Sequence, residues 1–327
     1  MTVASGYMRV GAIDVGTNSI RLLVADIRSG AGPRELLTVS RAGEPCRLGR
    51  GLGRSGEVDQ EMADRAATLA AEFARRARSL GARHIVLGAT AALREAANRV
   101  SVVGLIEQRS GVRVRILSGQ DEARLVYQAV VLGLREVARR SPCVVFDLGG
   151  GSTEVVSGLG TESGRWASIP LGAVSLTERF VRTDPVGPAE LAAIAAAVKE
   201  SLMQHCASMP EVTPILAGVG GTVTVLASLD RQLATYDPSS IEGWLIESSR
   251  LNGLIDRVAS STGRSREDWP VMGTGRSDIL VAGVMVVRQL AERFRSRGLL
   301  CSTQGLRYGL ARLAAAEAAK SPGGEHR

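Results

Sequence analysis

The stretch Cys143–Val156 reads CVVFDLGGGSTEVV, and its pattern decides the fold of this 327-residue chain. An apolar run rich in β-branched residues opens it and predicts a buried strand, and the two closing valines predict a strand that returns beside it. Between the strands, Gly149–Gly151 let the backbone approach a ligand closely and direct several N–H groups at it, which makes an anion-binding nest. Asp147 and Glu154 lie on the two sides of this turn, one before it and one after it. Carboxylates beside a phosphate nest are favourable when a hard divalent cation lies between them.

The same pattern occurs a second time, 133 positions earlier. Gly11–Ser19 reads GAIDVGTNS and aligns with Val144–Ser152, VVFDLGGGS. The alignment matches an Asp, a Gly and a Ser in each copy, namely Asp14 with Asp147, Gly16 with Gly149 and Ser19 with Ser152. Two unrelated β-turns would also favour Asp and Gly, but three aligned residues between apolar strands favour an internal repeat. The repeat predicts two related domains that face each other, each with one phosphate-binding hairpin.

These motifs resemble those of a known family. The hairpin pair is similar to that of the actin, Hsp70 and sugar-kinase superfamily. IDVGTNSIRLLV and DLGGGSTE, taken with SGQDEARLVY at Ser118–Tyr127, closely resemble the exopolyphosphatase and guanosine pentaphosphate phosphohydrolase (Ppx/GppA) family. The resemblance extends from about Arg9 to Leu310. Sugar kinases and Hsp70 share the hairpins but lack the E-A-R-L segment.

The resemblance implies an α/β fold of two ribonuclease-H-like domains of the actin-like ATPase superfamily, facing an interdomain cleft. We expect an N-terminal domain over 1–132, a C-terminal domain over 133–310, and a helix end with a disordered tail over 311–327. Gly133–Pro142 is the expected boundary. The Gly- and Arg-rich stretch Leu36–Arg54 predicts a loop or edge strand over the cleft, and Arg276 and Asp278 are expected to form a structural ion pair at the start of a buried helix.

Phosphate contacts are expected from three glycine-rich turns and one arginine. The third turn, in PILAGVGGTVTV at Pro214–Val225, follows a predicted strand and opens a helix, which is the arrangement of a helix N-terminal anion site. Its glycine spacing does not fit a dinucleotide-binding fingerprint. The arginine is Arg94, which matches a phosphate-contacting arginine of the family. The expected phosphate-binding residues are Thr17, Asn18, Ser19, Arg94, Gly149, Gly150, Gly151, Ser152, Thr153, Gly220, Gly221 and Thr222.

Catalysis is expected from a carboxylate and a divalent cation. Asp121 and Glu122 both open a predicted helix, where the helix dipole alone favours acids, so their spacing does not choose between them. The resemblance implies Glu122, because the catalytic Glu of the family directly precedes A-R. Mg²⁺ or Mn²⁺ is expected on Asp147 and Glu154, with Asp14 as a third candidate, directly or through water.

Composition fits a polyanionic substrate. The net charge is +7, and arginine, whose planar fork suits phosphate, carries almost all of the positive charge. The sequence shows no basic tail, zinc finger or aromatic-studded basic strand of the kind that binds nucleic acid. Neither a signal peptide nor an apolar run long enough for a membrane span is expected. The four cysteines are far apart, which indicates a reducing cytosol.

The expected protein is therefore a cytoplasmic homodimer that hydrolyses the terminal phosphoanhydride of inorganic polyphosphate, without binding nucleic acid or membrane. Two alternatives stay open: a guanosine pentaphosphate (pppGpp) 5'-phosphohydrolase with the same chemistry, and a non-catalytic sensor of polyphosphate or an alarmone. A kinase is a weaker alternative, because the E-A-R-L segment matches the hydrolases.

Overall fold

The computed structural model describes residues 6–28, 35–134, 141–273 and 275–320. The chain forms two compact α/β units. Unit 1 comprises 1–118 and 306–327, and unit 2 comprises 119–305. Within the described ranges, no helix combines the length and the apolar character needed to cross a membrane.

Unit 1 is built on a five-stranded sheet in the order β3-β2-β1-β4-β5. The first three strands form an antiparallel meander, and β4 and β5 continue parallel to β1. A core of mostly small and branched apolar side chains joins this sheet to the helices α2 and α4. The elements of unit 1 are β1 (Tyr7–Val15), β2 (Ser19–Arg28), β3 (Leu36–Pro45), α1 (Leu52–Ser55), α2 (Gln60–Ser79), β4 (His84–Ala89), α3 (Ala91–Glu95), α4 (Arg99–Ser110), β5 (Val114–Ile116) and, from the end of the chain, α13 (Leu306–Lys320).

Unit 2 is built on a six-stranded sheet in the order β10-β11-β9-β6-β7-β8. The strands β6, β7 and β8 form an antiparallel meander, and β9 and β11 continue parallel to β6. The elements of unit 2 are α5 (Gly119–Gly133), β6 (Pro142–Leu148), β7 (Thr153–Leu159), β8 (Glu162–Ile169), α6 (Ala173–Phe180), α7 (Pro188–His205), β9 (Ile215–Val219), α8 (Gly221–Asp230), α9 (Pro238–Ile241), β10 (Leu245–Glu247), α10 (Ser248–Ala259), α11 (Gly263–Glu267), α12 (Leu280–Arg293) and β11 (Gly298–Cys301).

The two sheets repeat one topology. The order β8-β7-β6-β9-β11 in unit 2 has the same strand directions as β3-β2-β1-β4-β5 in unit 1. The glycine-rich turns identified in the sequence connect the first two strands of each meander, β1 to β2 and β6 to β7. The expected pair of related α/β domains is therefore confirmed, as is the strand–turn–strand form of both hairpins.

The bounds of the units differ from the expected 1–132 and 133–310. Helix α5 packs on β6, β7 and β8 and belongs to unit 2, whereas α13 packs on β1, β2 and β4 and belongs to unit 1. Helix α5 follows β5, the last strand of unit 1, but covers the sheet of unit 2. Helix α13 follows β11, the last strand of unit 2, but covers the sheet of unit 1. The expected linker lies partly outside the described residues, at 135–140, and so does the expected tail, 321–327.

Candidate active site

The first phosphate turn, Gly16–Ser19, has its carbonyl groups bonded to a neighbouring loop. The Gly16 amide closes the turn on the Ser19 carbonyl at 3.0 Å. The Asn18 carbonyl accepts from the amides of Cys46 and Arg47 at 3.0 and 2.9 Å, and the Thr17 carbonyl accepts from the Gly49 amide at 2.9 Å. Because these oxygens are directed at the loop, the opposite, N–H edge of the turn is the one suited to an anion.

The second turn, Gly149–Ser152, is held in the same way. The Gly149 amide donates to the Ser152 carbonyl at 3.0 Å, and the carbonyls of Gly149 and Gly150 accept from amides in the first turn of α6, at 3.0 Å and at 2.8 and 3.1 Å. Gly172 lies so close behind the turn that a Cβ there would stand 2.5 Å from the Gly150 carbonyl. In both units the carbonyl side of the turn is therefore occupied by protein.

The third turn opens α8 with Gly220 at φ 111°, a conformation that favours glycine. The guanidinium of Arg276 lies against Gly221, where a Cβ would meet its Nε at 3.2 Å and its Cζ at 3.3 Å. A cation and the positive end of a helix dipole together favour an anion at this point. The sequence pattern assigned Arg276 only a structural ion pair, because nothing local to either segment connects it with Gly221.

The hydroxyls of two expected phosphate-binding threonines lie close to other parts of unit 2. The Thr153 hydroxyl donates to the Leu171 carbonyl at 2.7 Å, and the Thr222 hydroxyl lies against Gly283 of α12. Any contact of Thr153 with phosphate would therefore be made by its backbone amide. Arg94, on α3 in unit 1, is half-buried and donates from Nη1 to the Leu117 carbonyl at 3.0 Å.

The two expected metal ligands of unit 2 lie side by side. Asp147 and Glu154 are direct cross-strand partners in β6 and β7, so their side chains leave the same face of the sheet with Cβ atoms about 4.5–5.5 Å apart. Asp147 is half-buried, whereas Glu154 is only 1% exposed. The Ser168 hydroxyl donates to Oε1 of Glu154 at 2.8 Å. Two adjacent carboxylates form the set of hard oxygen ligands that suits Mg²⁺ together with substrate phosphate.

The equivalent position of unit 1 has the opposite charge. Asp14 pairs across the hairpin with Arg21, which occupies the place that Glu154 takes in unit 2. Burial raises the pKa of the Asp14 carboxyl, and the positive charges of Arg21 and Arg307 oppose this rise. Within the described parts of the chain, no three His, Cys, Asp or Glu residues are grouped to hold a metal. Asp14 is therefore in an arginine environment, and the adjacent carboxylate pair is found in unit 2.

The two acids at the start of α5, between which the sequence pattern did not choose, differ in burial. Glu122 is buried, at 6% exposure, and Asp121 is exposed and pairs with Arg124 at 3.5 Å. The Tyr127 hydroxyl lies 3.6 Å from the Cys143 thiol, which places α5 on the face of the sheet that also carries Asp147 and Glu154. The buried acid of α5 and the carboxylate pair thus share one face of unit 2.

Comparison with known proteins identifies the family. The model of the Ppx/GppA phosphatase family matches residues 23–314. The chain belongs to this family. Exopolyphosphatase 2 of Mycobacterium tuberculosis is 32% identical to it over 295 residues, which cover 88% of this chain and 92% of that protein. Exopolyphosphatase 1 of Mycobacterium leprae is 31% identical, with 85% of this chain and 81% of that protein covered.

Solved structures agree with this membership. The crystal structure of the Aquifex aeolicus member of the Ppx/GppA family matches with a TM-score of 0.79 at 26% identity, covering 97% of this chain and 99% of that one. The Ppx/GppA resemblance of the sequence motifs and the expected two-domain actin-like fold class are confirmed.

Proposed function

We propose that this Ppx/GppA protein is an exopolyphosphatase that removes the terminal phosphate of inorganic polyphosphate by in-line attack of water. Its family membership makes it a phosphoanhydride hydrolase, and relatives named exopolyphosphatase match most of its length. The observation that supports the reaction best lies in unit 2. One face of its sheet carries the adjacent carboxylates Asp147 and Glu154 together with α5, whose first turn buries Glu122.

The proposed roles follow from this chemistry. Hydrolysis of a phosphoanhydride needs an oriented water, a proton acceptor and neutralisation of the charge on the transferred phosphoryl group. The amides of 150–152 in the glycine turn would bind phosphate oxygens, since the Gly149 amide closes the turn and the carbonyls of Gly149 and Gly150 are bonded to α6. Glu122 would orient the water and accept its proton. The guanidinium of Arg276 at the start of α8 would hold a further phosphate.

Asp147 and Glu154 would hold Mg²⁺ or Mn²⁺. When bound, the ion would neutralise charge on the phosphate oxygens as the phosphoryl group is transferred. Asp14 faces Arg21 across its hairpin, which disfavours a direct bond to the ion; a role for Asp14 in metal binding, directly or through water, stays a prediction. We further propose that the protein works in a reducing cytoplasm, which the four free, buried cysteines support. The homodimer stays a prediction that light scattering tests.

One assay tests the function. Release of orthophosphate is measured from long-chain polyphosphate and from pppGpp, on the same preparation, with Mg²⁺ and with excess chelator. We expect release from polyphosphate, dependent on the metal. Preferential release from pppGpp would replace the proposed substrate with the alarmone. Binding of polyphosphate without any release would indicate the sensor, and full activity in chelator would remove the metal from the proposal.

A further inference from the structure

A row of three side chains crosses the sheet of unit 2 beside the glycine turn. Glu154 in the central strand of the meander pairs with Asp147 on one side and with Ser168 on the other. Directly opposed residues project from the same face, so Ser168 lies on the face that carries the two carboxylates. Its hydroxyl donates to Glu154 Oε1 at 2.8 Å, and that carboxylate is almost fully buried.

Ser168 also contacts the helix that carries the proposed base. Gly119, the first residue of α5, lies so close that a Cβ there would stand 2.8 Å from Cβ and 3.0 Å from Oγ of Ser168. Gly119 and Glu122 are three positions apart and therefore lie on one face of α5. A single small side chain thus contacts both the start of this helix and the buried carboxylate of the metal pair.

We propose that Ser168 is a positioning residue for metal binding: its hydroxyl holds the Glu154 carboxylate in the orientation that binds the divalent cation, and its small size sets the distance between this carboxylate and the N-terminus of α5. Hydrogen bonds to ligating carboxylates orient them and raise metal affinity. Replacing serine by alanine removes this donor and weakens the restraint on the orientation of the Glu154 carboxylate. The inference rests on the proposed metal role of Asp147 and Glu154.

The test compares Ser168→Ala with Ser157→Ala. Ser157 is buried in the same strand as Glu154, and its hydroxyl donates to the Arg165 carbonyl at 3.3 Å. It is therefore a serine that also donates one hydrogen bond, but to a backbone carbonyl and not to the Glu154 carboxylate. Binding of Mn²⁺ alone, without substrate, is measured by electron spin resonance of the free ion. We expect affinity to fall about 10- to 100-fold in Ser168→Ala and to stay unchanged in Ser157→Ala.

A second measurement asks whether Ser168 acts through Glu154. In a Glu154→Gln background, Ser168→Ala is expected to lower Mn²⁺ affinity by less than twofold, since the orientation of a carboxylate no longer matters. If Ser168→Ala does not fold, Ser168→Cys keeps most of the volume beside Gly119 with a weaker donor and is expected to lower affinity in the same direction.

Unchanged Mn²⁺ affinity in a folded Ser168 variant overturns the inference, and so does an equal loss in both serine variants or in both backgrounds. Because substrate is absent, these results are independent of the phosphate-release assay. A loss of affinity specific to Ser168 in a protein that releases no phosphate from polyphosphate would support the positioning role while rejecting the proposed reaction.

Discussion

At the residue scale, the neighbours Asp121 and Glu122 differ in the properties that matter to catalysis. Asp121 is exposed and bonded to an arginine on its own helix, an arrangement that contributes little to stability. Glu122 is buried on the side of α5 that packs against the sheet. A base that is shielded from water and fixed by its helix can orient one water molecule, whereas an exposed acid meets bulk solvent.

We predict that Glu122→Gln lowers turnover at least about a hundredfold, because the amide keeps the shape but cannot accept a proton, and a positioned base contributes roughly a hundred- to ten-thousand-fold. Polyphosphate should still bind, since the proposed roles give the affinity to the turn amides and arginines. Phosphate release under saturating substrate, together with a binding isotherm, measures both.

The matched control is Asp121→Asn. It should cost at most about 1 kcal/mol of stability through the helix dipole and leave turnover largely intact. If the two variants behave the other way round, Asp121 is the base. If neither slows release, the water is activated by another group.

At the scale of elements, the first hairpin has an Asp and an Arg opposite each other at each of its two ends. At the turn, Asp14 faces Arg21. At the far end, Arg9 and Asp26 are cross-strand partners joined by two hydrogen bonds of 2.7 and 2.8 Å, with a further bond from Arg9 to the Leu80 carbonyl at 2.8 Å. The bonds to Asp26 raise the pKa of Arg9. This buried pair connects β1, β2 and the end of α2.

We predict that Asp26→Ala lowers the free energy of unfolding by about 3–5 kcal/mol, because it leaves a buried guanidinium without its carboxylate. Replacing both partners, as Arg9→Met with Asp26→Leu, should recover most of the loss. Urea unfolding followed by circular dichroism measures the difference. Glu211→Gln is the control, since its pair with Arg295 is 3.6 Å long and exposed, and should change stability by less than about 0.5 kcal/mol. An equal loss in the single and double variants would contradict this account.

The hairpins and their acids could be predicted from the sequence, because apolar alternation, glycine and acid positions are local signals. The orientation of the turns could not, since their carbonyls are bonded by amides from distant segments, Cys46–Gly49 and 173–175. The role of Arg276 was missed for the same reason, because Gly221 lies far away in the chain. Ser168 was missed because the register that sets it opposite Glu154 in β7 and β8 is not fixed by a local pattern. The stretch Leu36–Arg54 was expected to form a loop or an edge strand, and its first part forms the edge strand β3. The apolar pattern fades towards the end of β3, so the sequence did not specify where the strand ends.

At the scale of the whole molecule, the route of the chain makes unit 1 discontinuous. The chain leaves unit 1 after Ser118 and returns at Leu306. Helix α13 then packs on β1, β2 and β4, with Leu310 fully buried against Gly88 and Glu317 paired with Arg115 at 2.8 Å. The expected domain bounds ended the second domain at 310, because proximity in sequence is the default expectation, and packing of the last helix on the first domain was the alternative. Unit 1 therefore depends on the last helix to cover its sheet.

Both units contain cysteine, so labelling of the thiols can follow the unfolding of each unit separately. Cys46 is in unit 1, and the other three are in unit 2, and all four are buried. Burial raises the pKa of Cys46 and of Cys206 to about 11. Both thiols are therefore protonated at pH 8. Because the thiolate is the reactive form, they become more reactive only as the pH approaches their pKa of about 11.

We predict that a variant ending at Gly305 exposes Cys46 to Ellman's reagent at pH 8 while the three cysteines of unit 2 stay protected. Cys46 packs in the core between the sheet and α2, so it becomes accessible only because unit 1 unfolds once β1, β2 and β4 lose the helix that covers them. A variant ending at Lys320 keeps α13 and should react no faster than the full chain. Peptide mapping by mass spectrometry identifies the labelled thiols. Protection of Cys46 in the shorter variant would mean that unit 1 folds without α13. Labelling of all four would mean that the two units unfold together, and the discontinuous chain would then act as one cooperative molecule.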